Sequence, residues 1–331
     1  MSRANFGFAS AKPVLLSAAL KDIGKILLYL LGTIFVGALI APLLFWLGQH
    51  ALRPLEAHGW ITFVERDGER VARGMFAFLE SDFQRYFNRA VLIAAFALLW
   101  PLVRSLRIRN FGEDLGLKRN RRFGRQFFTG FGIAILTLVV LGGVLVAGDI
   151  YYLKDQIPWG RIAWLPVTAI VVAVLEEALF RGAIQGVVQR TTTNDFAVAF
   201  VSVLFGAIHF LKPQENSITA ADVRWWSGFA LVPQAFWQFE NPQLLLGGFT
   251  TLLLVGLILG YARARTCSLW MPIGLHAGWI FSKMSFSKMT KRSAEAWPWF
   301  GSDMLIGLGP VLILLCTWGV VWWCLRDEKV A

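Results

Sequence analysis

Apolar residues run through this chain in long blocks rather than in the short alternations of a soluble domain. Crossing a bilayer as an α-helix takes about 20 consecutive apolar residues. Eight blocks approach that length: 26–48, 88–103, 129–148, 162–189, 195–211, 244–262, 268–284 and 303–325. The pattern predicts an all-α protein, a polytopic transmembrane helical bundle of about eight spans. Blocks 88–103 and 268–284 are short, and Pro101 and Pro272 lie near one end of each. The first block runs from Ile26 to Leu47, longer than the apolar core of a signal peptide, so it reads as a first span.

Composition agrees with the blocks. Of 331 residues, 56% are hydrophobic and only 16% charged, against about a quarter charged in a typical soluble domain. The formal net charge of +11 raises the question of nucleic acid, and the placement of the cations answers it. Arg104, Arg107, Arg109, Lys118, Arg119, Arg121, Arg122 and Arg125 crowd the stretch 104–128 between two apolar blocks. Cytoplasmic loops collect Lys and Arg in this way, so no nucleic-acid partner is expected. Lys12, Lys21 and Lys25 before the first span, Arg190, Arg263, Arg265, and the tail with Arg326 and Lys329 predict cytoplasmic N- and C-termini. Lys283, Lys288, Lys291 and Arg292 fall on the external side of an eight-span count, and most of 285–302 is expected on the membrane surface.

Three regions follow from the blocks. Residues 1–161 hold the first spans, an external linker at 49–88 and the basic loop at 104–128. Residues 162–284 hold the chemistry-bearing spans, and residues 285–331 a loop and the last span. The linker mixes Glu65, Arg66, Asp67, Glu69, Arg70, Arg73, Glu80, Asp82 and Arg85 and is expected to be an external helical piece or a solvated connection. The stretch 212–243 has few charges and three tryptophans, Trp225, Trp226 and Trp237, which predicts an interfacial helix pair. Trp318, Trp322 and Trp323 read as an aromatic belt. Asp195 is placed to cap the fifth span. Cys316 and Cys324 are eight residues apart on one helix, roughly 12 Å, too far for a disulfide.

Chemistry concentrates in three spans. The fourth reads VTAIVVAVLEEALFRGAIQGVVQR, with two carboxylates and an arginine in apolar sequence. A charge there costs a few kcal/mol even on permissive scales and needs a reason. Glu177 and Arg181 are four apart and share a helix face, whereas Glu176 points about 100° away. His209 ends the fifth span with Phe205 one turn before it, and His276 lies inside the seventh. By helical rise, Glu176 and His209 sit roughly 21 Å and His276 roughly 12 Å from the cytoplasmic ends of their spans, so antiparallel neighbours can bring all three together. A carboxylate in such a bundle can serve as a general base. An imidazole can orient water or donate to a developing oxyanion.

The E-E-x-x-x-R at Glu176–Arg181, the F-x-x-x-H at Phe205–His209 and the Pro272-x-Gly274-x-His276-Ala277 run resemble the CPBP family. That family holds CAAX prenyl endopeptidases of the Ras-converting type together with bacteriocin-processing and immunity (Abi) proteins. Gly260 and Tyr261 fit it too, and the resemblance covers about 162–283. It implies an intramembrane glutamic-type endopeptidase in which Glu176 activates water and His209 helps to hold it. Glu177 and Arg181 would support the site, and His276 would stabilise the oxyanion. The family's third motif continues with Asn or Asp four residues after the histidine, where this chain has Ile280. Trp279 and Ser202 are the candidate replacement donors.

The resemblance implies a membrane-associated peptide or protein substrate, lipidated or not, acted on within the lipid bilayer. The loops, not the resemblance, suggest a bacterial plasma membrane. The resemblance implies no cofactor and no metal. A zinc-dependent variant is disfavoured because no H-E-x-x-H is present, although two Glu and two His are metal-ligand types. Two other classes stay open: a non-catalytic binding or immunity protein on the same fold, favoured by Ile280, and a proton-coupled carrier. The bland alternative for Glu177 and Arg181 is an ion pair that only pins its helix.

Overall fold

The computed structural model describes residues 13–66, 69–73, 79–108, 111–211, 213 and 217–327. Lys12, Asp67, Arg109 and Lys329, which entered the charge reading, lie outside them. In chain order the elements are α1 (Pro13–Ala57), β1 (Thr62–Arg66), β2 (Glu69–Arg73), α2 (Phe83–Ser105), α3 (Phe111–Asp114), α4 (Phe123–Ala147), β3 (Tyr151–Leu153), α5 (Trp159–Ile162) and α6 (Leu165–Glu177). A π-helical segment, Ala178–Ile184, leads into α7 (Gln185–Gln189). Then come α8 (Asn194–Phe210), α9 (Ser227–Gln234), a second π segment (Leu244–Phe249), α10 (Thr250–Thr266), α11 (Trp270–Met289), β4 (Thr290–Arg292) and α12 (Leu308–Leu325).

The protein is an all-α polytopic bundle and an integral membrane protein. Among the described residues, six helical stretches are long and apolar enough to cross a bilayer: Leu20–Ala57, Phe83–Ser105, Phe123–Ala147, Trp159–Gln189, Leu244–Thr266 and Leu308–Leu325. A helix suits that solvent because it satisfies its own backbone polar groups. The two remaining blocks of the sequence pattern are helices as well. Asn194–Phe210 is shorter than the others, and α11 is less apolar for a physical reason. Nine consecutive residues of α11, Met271 to Trp279, are buried. A helix enclosed by protein on every side does not need a greasy exterior, so its sequence is free to hold Gly274, Gly278 and His276.

Contacts divide the chain into two compact units, Met1–Gly24 with Leu106–Phe210 and Asn241–Ala331, and Lys25–Ser105 with Leu211–Glu240. In the first, α11 packs between α4 and α6, while α10 packs on α8, α11 and α12. Small residues set these distances. A Cβ on Gly278 would lie 2.7 Å from both the Ala134 Cβ and the Phe131 carbonyl oxygen, so only glycine lets α11 approach α4 this closely. The core of this unit joins Leu141, Leu145, Ile258, Leu259, Leu275 and Val321. The second unit has its own core, in which Phe45 packs edge-on against Phe83 and Tyr86.

Four expectations are corrected. The linker 49–88 is not a helical piece: α1 runs on to Ala57, and β1 and β2 then pair as an antiparallel hairpin with Thr62 opposite Arg73. Its two connecting residues are Asp67 and Gly68, the dipeptide favoured between hairpin strands. The stretch 212–243 holds one eight-residue helix, α9, flanked by 3₁₀ turns at Ala220–Asp222 and Trp237–Glu240, rather than a helix pair. The loop after the seventh block begins late, because α11 extends to Met289. Its β4 then pairs with β3, placing Tyr151 opposite Arg292. Finally, α8 is capped by Thr193, whose Oγ1 accepts from the Phe196 amide at 3.3 Å. Asp195 lies inside the first turn, where its charge still suits the helix dipole.

Candidate active site

The buried face of α6 is Leu165, Ala169, Ala173 and Glu177, one residue per turn. The two alanines admit Ile273 and Ala277 of α11, which brings the start of the Glu-Glu pair against His276. Glu177 ends this stripe and is fully buried; Glu176, one residue earlier, keeps about 30% of its side chain exposed. The helix widens into the π segment immediately after Glu177. Such bulges often occur at functional sites, and here the bulge carries Arg181, which is also fully buried.

The carboxylates have separate partners. Glu177 Oε1 accepts from Arg181 Nη1 at 2.9 Å and from His276 Nδ1 at 2.7 Å. Glu176 Oε2 lies 3.0 Å from His209 Nε2 and 3.8 Å from His276 Nε2. The last distance is too long for a hydrogen bond, so the Nε2 of His276 faces Glu176 without being bonded to it. Hydrogen bonding also fixes proton positions. The His209 Nδ1–H donates to the Phe205 carbonyl oxygen at 2.9 Å, so the Glu176–His209 contact must itself contain a proton. Either His209 is an imidazolium beside a carboxylate, or Glu176 is a carboxylic acid donating to a neutral ring.

Phe205 is the hub. Its ring centroid lies 4.1 Å from that of His209, 5.9 Å from His276 and 5.2 Å from Phe180, and the Arg181 guanidinium carbon lies 4.3 Å from it. One aromatic ring thus contacts both imidazoles and the cation that pairs with Glu177. Glu176, Glu177, Arg181, Phe205, His209 and His276, drawn from three segments of the chain, form one cluster.

The other three residues singled out in the sequence lie elsewhere. Ile280 packs against the apolar cluster of Ala169, Ala173, Leu269, Ile273 and Ala277. Trp279 is buried in the core beside Leu275 and Ile258, and its Nε1 has no hydrogen-bond partner. The Ser202 Oγ–H donates to the Val198 carbonyl oxygen of its own helix at 2.6 Å. Sequence reasoning missed Gln185, fully buried, whose Nε2 donates to the Gly260 carbonyl oxygen at 3.1 Å; Arg181 reaches the Gly256 carbonyl oxygen in the same way at 3.4 Å. The signal was present. Glu177, Arg181 and Gln185 recur at four-residue spacing, and Gly256 and Gly260 form a small-xxx-small pair that exposes carbonyls to a neighbouring helix. No group of three or more His, Cys, Asp or Glu side chains among the described residues has the geometry to hold a metal ion.

Residues 158–282 match the family model for type II CAAX prenyl endopeptidase Rce1-like proteins. This bears out the resemblance read from the three motifs, and every residue of the cluster falls inside the matched range. Peptidase activity on a membrane-associated protein or peptide is what the matched family carries in general. No curated protein and no solved structure matches the chain.

Proposed function

We propose that the protein is an intramembrane endopeptidase of the CAAX-protease type, with Glu176 as the base that activates water. The carrying observation is the Glu176 carboxylate set between two imidazole nitrogens, at 3.0 and 3.8 Å, in an otherwise apolar bundle. With His209 as imidazolium and Glu176 ionised, the second carboxylate oxygen takes a proton from water as the resulting hydroxide adds to the scissile carbonyl carbon. Oxygen gains the negative charge, and the His276 Nε2–H, in the imidazolium form balanced by Glu177, donates to it. When the C–N bond breaks, the proton held by Glu176 and His209 passes to the departing amine. Glu177 and Arg181 do not touch substrate in this scheme; they hold His276 through its Nδ1.

The substrate is a membrane-associated peptide or protein, with or without a lipid, and the host membrane a bacterial plasma membrane. The orientation rests on charge. Arg263 lies against Gly116, Leu269 donates to the Gly116 carbonyl oxygen, Arg190 to that of Leu106, and Arg265 to that of Leu325. These contacts gather the basic stretches of the first unit at one end, which supports reading that end as the cytoplasmic one. The region boundaries at 161 and 284 are kept as a functional division, with 162–284 as the catalytic core.

The test is to compare the N- and C-termini of membrane proteins in cells carrying wild type and Glu176→Gln. New termini that depend on Glu176 are expected. Identical termini in both, with the protein equally abundant, would overturn the proposal. A second reading, a non-catalytic binding or immunity protein, is favoured by one observation: Ile280 lies in an apolar cluster and supplies no second oxyanion donor.

A further inference from the structure

Away from the site, the most concentrated charge is in the turn leading into α4. Residues 117–128 contain Lys118, Arg119, Arg121, Arg122 and Arg125 and no acidic residue. All five are exposed. Lys118 is paired with Glu113 at 2.5 Å. Among the described residues no acid pairs with Arg119, Arg121 or Arg125, and the first turn of α4 contains none. A helix N-terminus is itself electropositive, so Arg119, Arg121 and Arg125 add like charge to a positive helix end.

The turn is also held in place. Lys118 donates its amide to the Gly112 carbonyl oxygen at 2.7 Å, and Leu269 donates to that of Gly116 at 3.0 Å. Trp270 Nε1 donates to the Lys118 carbonyl oxygen at 3.4 Å, and its ring meets Phe123 edge-on at 5.5 Å. Arg119 lies over the other partner of that contact, 5.2 Å from the Phe123 centroid. The turn that carries the cations is thus fixed to Trp270, the first residue of α11, six residues before His276. Their level in the membrane is marked by aromatics: Phe123, Trp270 and the exposed Phe128 sit where α4 enters its apolar run, and such rings collect at the headgroup layer.

We propose that Arg119, Arg121 and Arg125 form a binding surface for anionic phospholipid headgroups at the foot of α11. The occupant follows from position. The cations flank the aromatic residues where α4 enters its apolar run, the level at which headgroup phosphates are expected, and guanidinium groups bind phosphate through paired donors. This proposal does not depend on the proteolytic reading.

The full chain is placed in nanodiscs of mixed phosphatidylcholine and phosphatidylglycerol, and the lipids retained by the protein are compared with the bulk mixture. Wild type is expected to enrich phosphatidylglycerol, and added salt to weaken the enrichment. The variant R119Q/R121Q/R125Q is expected to lose it by on the order of 100-fold at low salt, at roughly fivefold per cation. The variant R119K/R121K/R125K keeps the charge and is expected to keep most of the binding. K288Q/K291Q, which removes charge elsewhere, is expected to behave as wild type. Should the glutamine variant fail to fold, the lysine variant and the salt titration of wild type still decide. Equal retention of both lipids by wild type would overturn the proposal, as would enrichment indifferent to salt or to the three arginines. Capture of an acidic peptide by the same arginines in pure phosphatidylcholine, without preference for phosphatidylglycerol, would assign the surface to a protein partner and overturn it too.

Discussion

Replacing Glu177 by Gln tests whether the buried cluster is one electrostatic unit. Glu177 and Arg181 are both fully buried, and Glu177 Oε1 accepts from Arg181 at 2.9 Å and from His276 at 2.7 Å. Gln preserves the volume and leaves an oxygen to accept, but it removes the charge bonded to the guanidinium at 2.9 Å. An ion stranded in this way costs about 3–5 kcal/mol. Arg181→Met leaves the carboxylate its 2.7 Å bond to His276, so it should cost less, about 1–3 kcal/mol. The double variant removes both charges of the buried pair, so its cost should fall well below the sum of the two, giving a coupling energy of about 1–3 kcal/mol. Glu176 is the internal contrast: about 30% of its side chain is exposed, and Glu176→Gln should cost no more than about 1 kcal/mol. The assay is reversible unfolding in mixed micelles, read for the four variants and wild type under one condition. Single variants that each cost less than about 1 kcal/mol, or costs that simply add, would show that the pair is not a unit and that His276 is held by something else.

Four further outcomes are expected. Glu176→Gln should reduce turnover by at least roughly 10²–10⁴-fold, the usual contribution of a general base, with expression nearly unchanged; a peptide-cleavage assay on matched amounts of protein checks it. Gly256→Ala should destabilise by about 1–3 kcal/mol through overpacking, because the new Cβ would stand 2.9 Å from the Cα and Cβ of Ser202; thermal unfolding in detergent reads this. Ile280→Asn places an amide one turn from His276 and should raise turnover, by up to roughly 10²–10³-fold for a well-aimed donor, while burying a polar group at a cost of about 1–3 kcal/mol; unchanged turnover would mean that no oxyanion forms near position 280. Activity should survive strong chelators, and loss on chelation with rescue by zinc would move the chemistry to a metal.

The bundle was legible because its solvent is apolar. Each long apolar block became a helix, and misreadings arose where the bilayer no longer dictates the pattern. The hairpin at Thr62–Arg73 was hidden by its charges, since a Glu–Arg-rich alternation resembles a solvated helix unless the Asp-Gly dipeptide in the sequence is weighed. Thr193 took the capping role expected of Asp195 because the helix begins a residue earlier than its apolar run. Hydropathy alone undervalues α11, since a helix enclosed by protein is under no pressure to be apolar.

The cluster was legible for the same reason that it is costly: Glu176, Glu177, Arg181, His209 and His276 stand out against apolar sequence. Periodicity also separated the two carboxylates correctly, one toward Arg181 and one free to meet His209. It failed for Trp279 and Ser202. Helical spacing says which residues share a face, but only packing says what that face meets. Trp279 is three residues beyond His276, yet α4 and α10 crowd that side, and its indole enters their core rather than the carboxylate cluster. Ser202 lies on the buried stripe of α8, where Gly256 approaches so closely that the hydroxyl folds back onto Val198. Among the residues weighed as oxyanion donors, only His276 is in the cluster. Its imidazole is aimed by a carboxylate that Arg181 and the neighbouring rings hold rigid. In the proposed mechanism, catalytic power therefore depends on how firmly one ring is oriented, which makes the buried Glu177–Arg181 pair the part of the scaffold on which that mechanism depends.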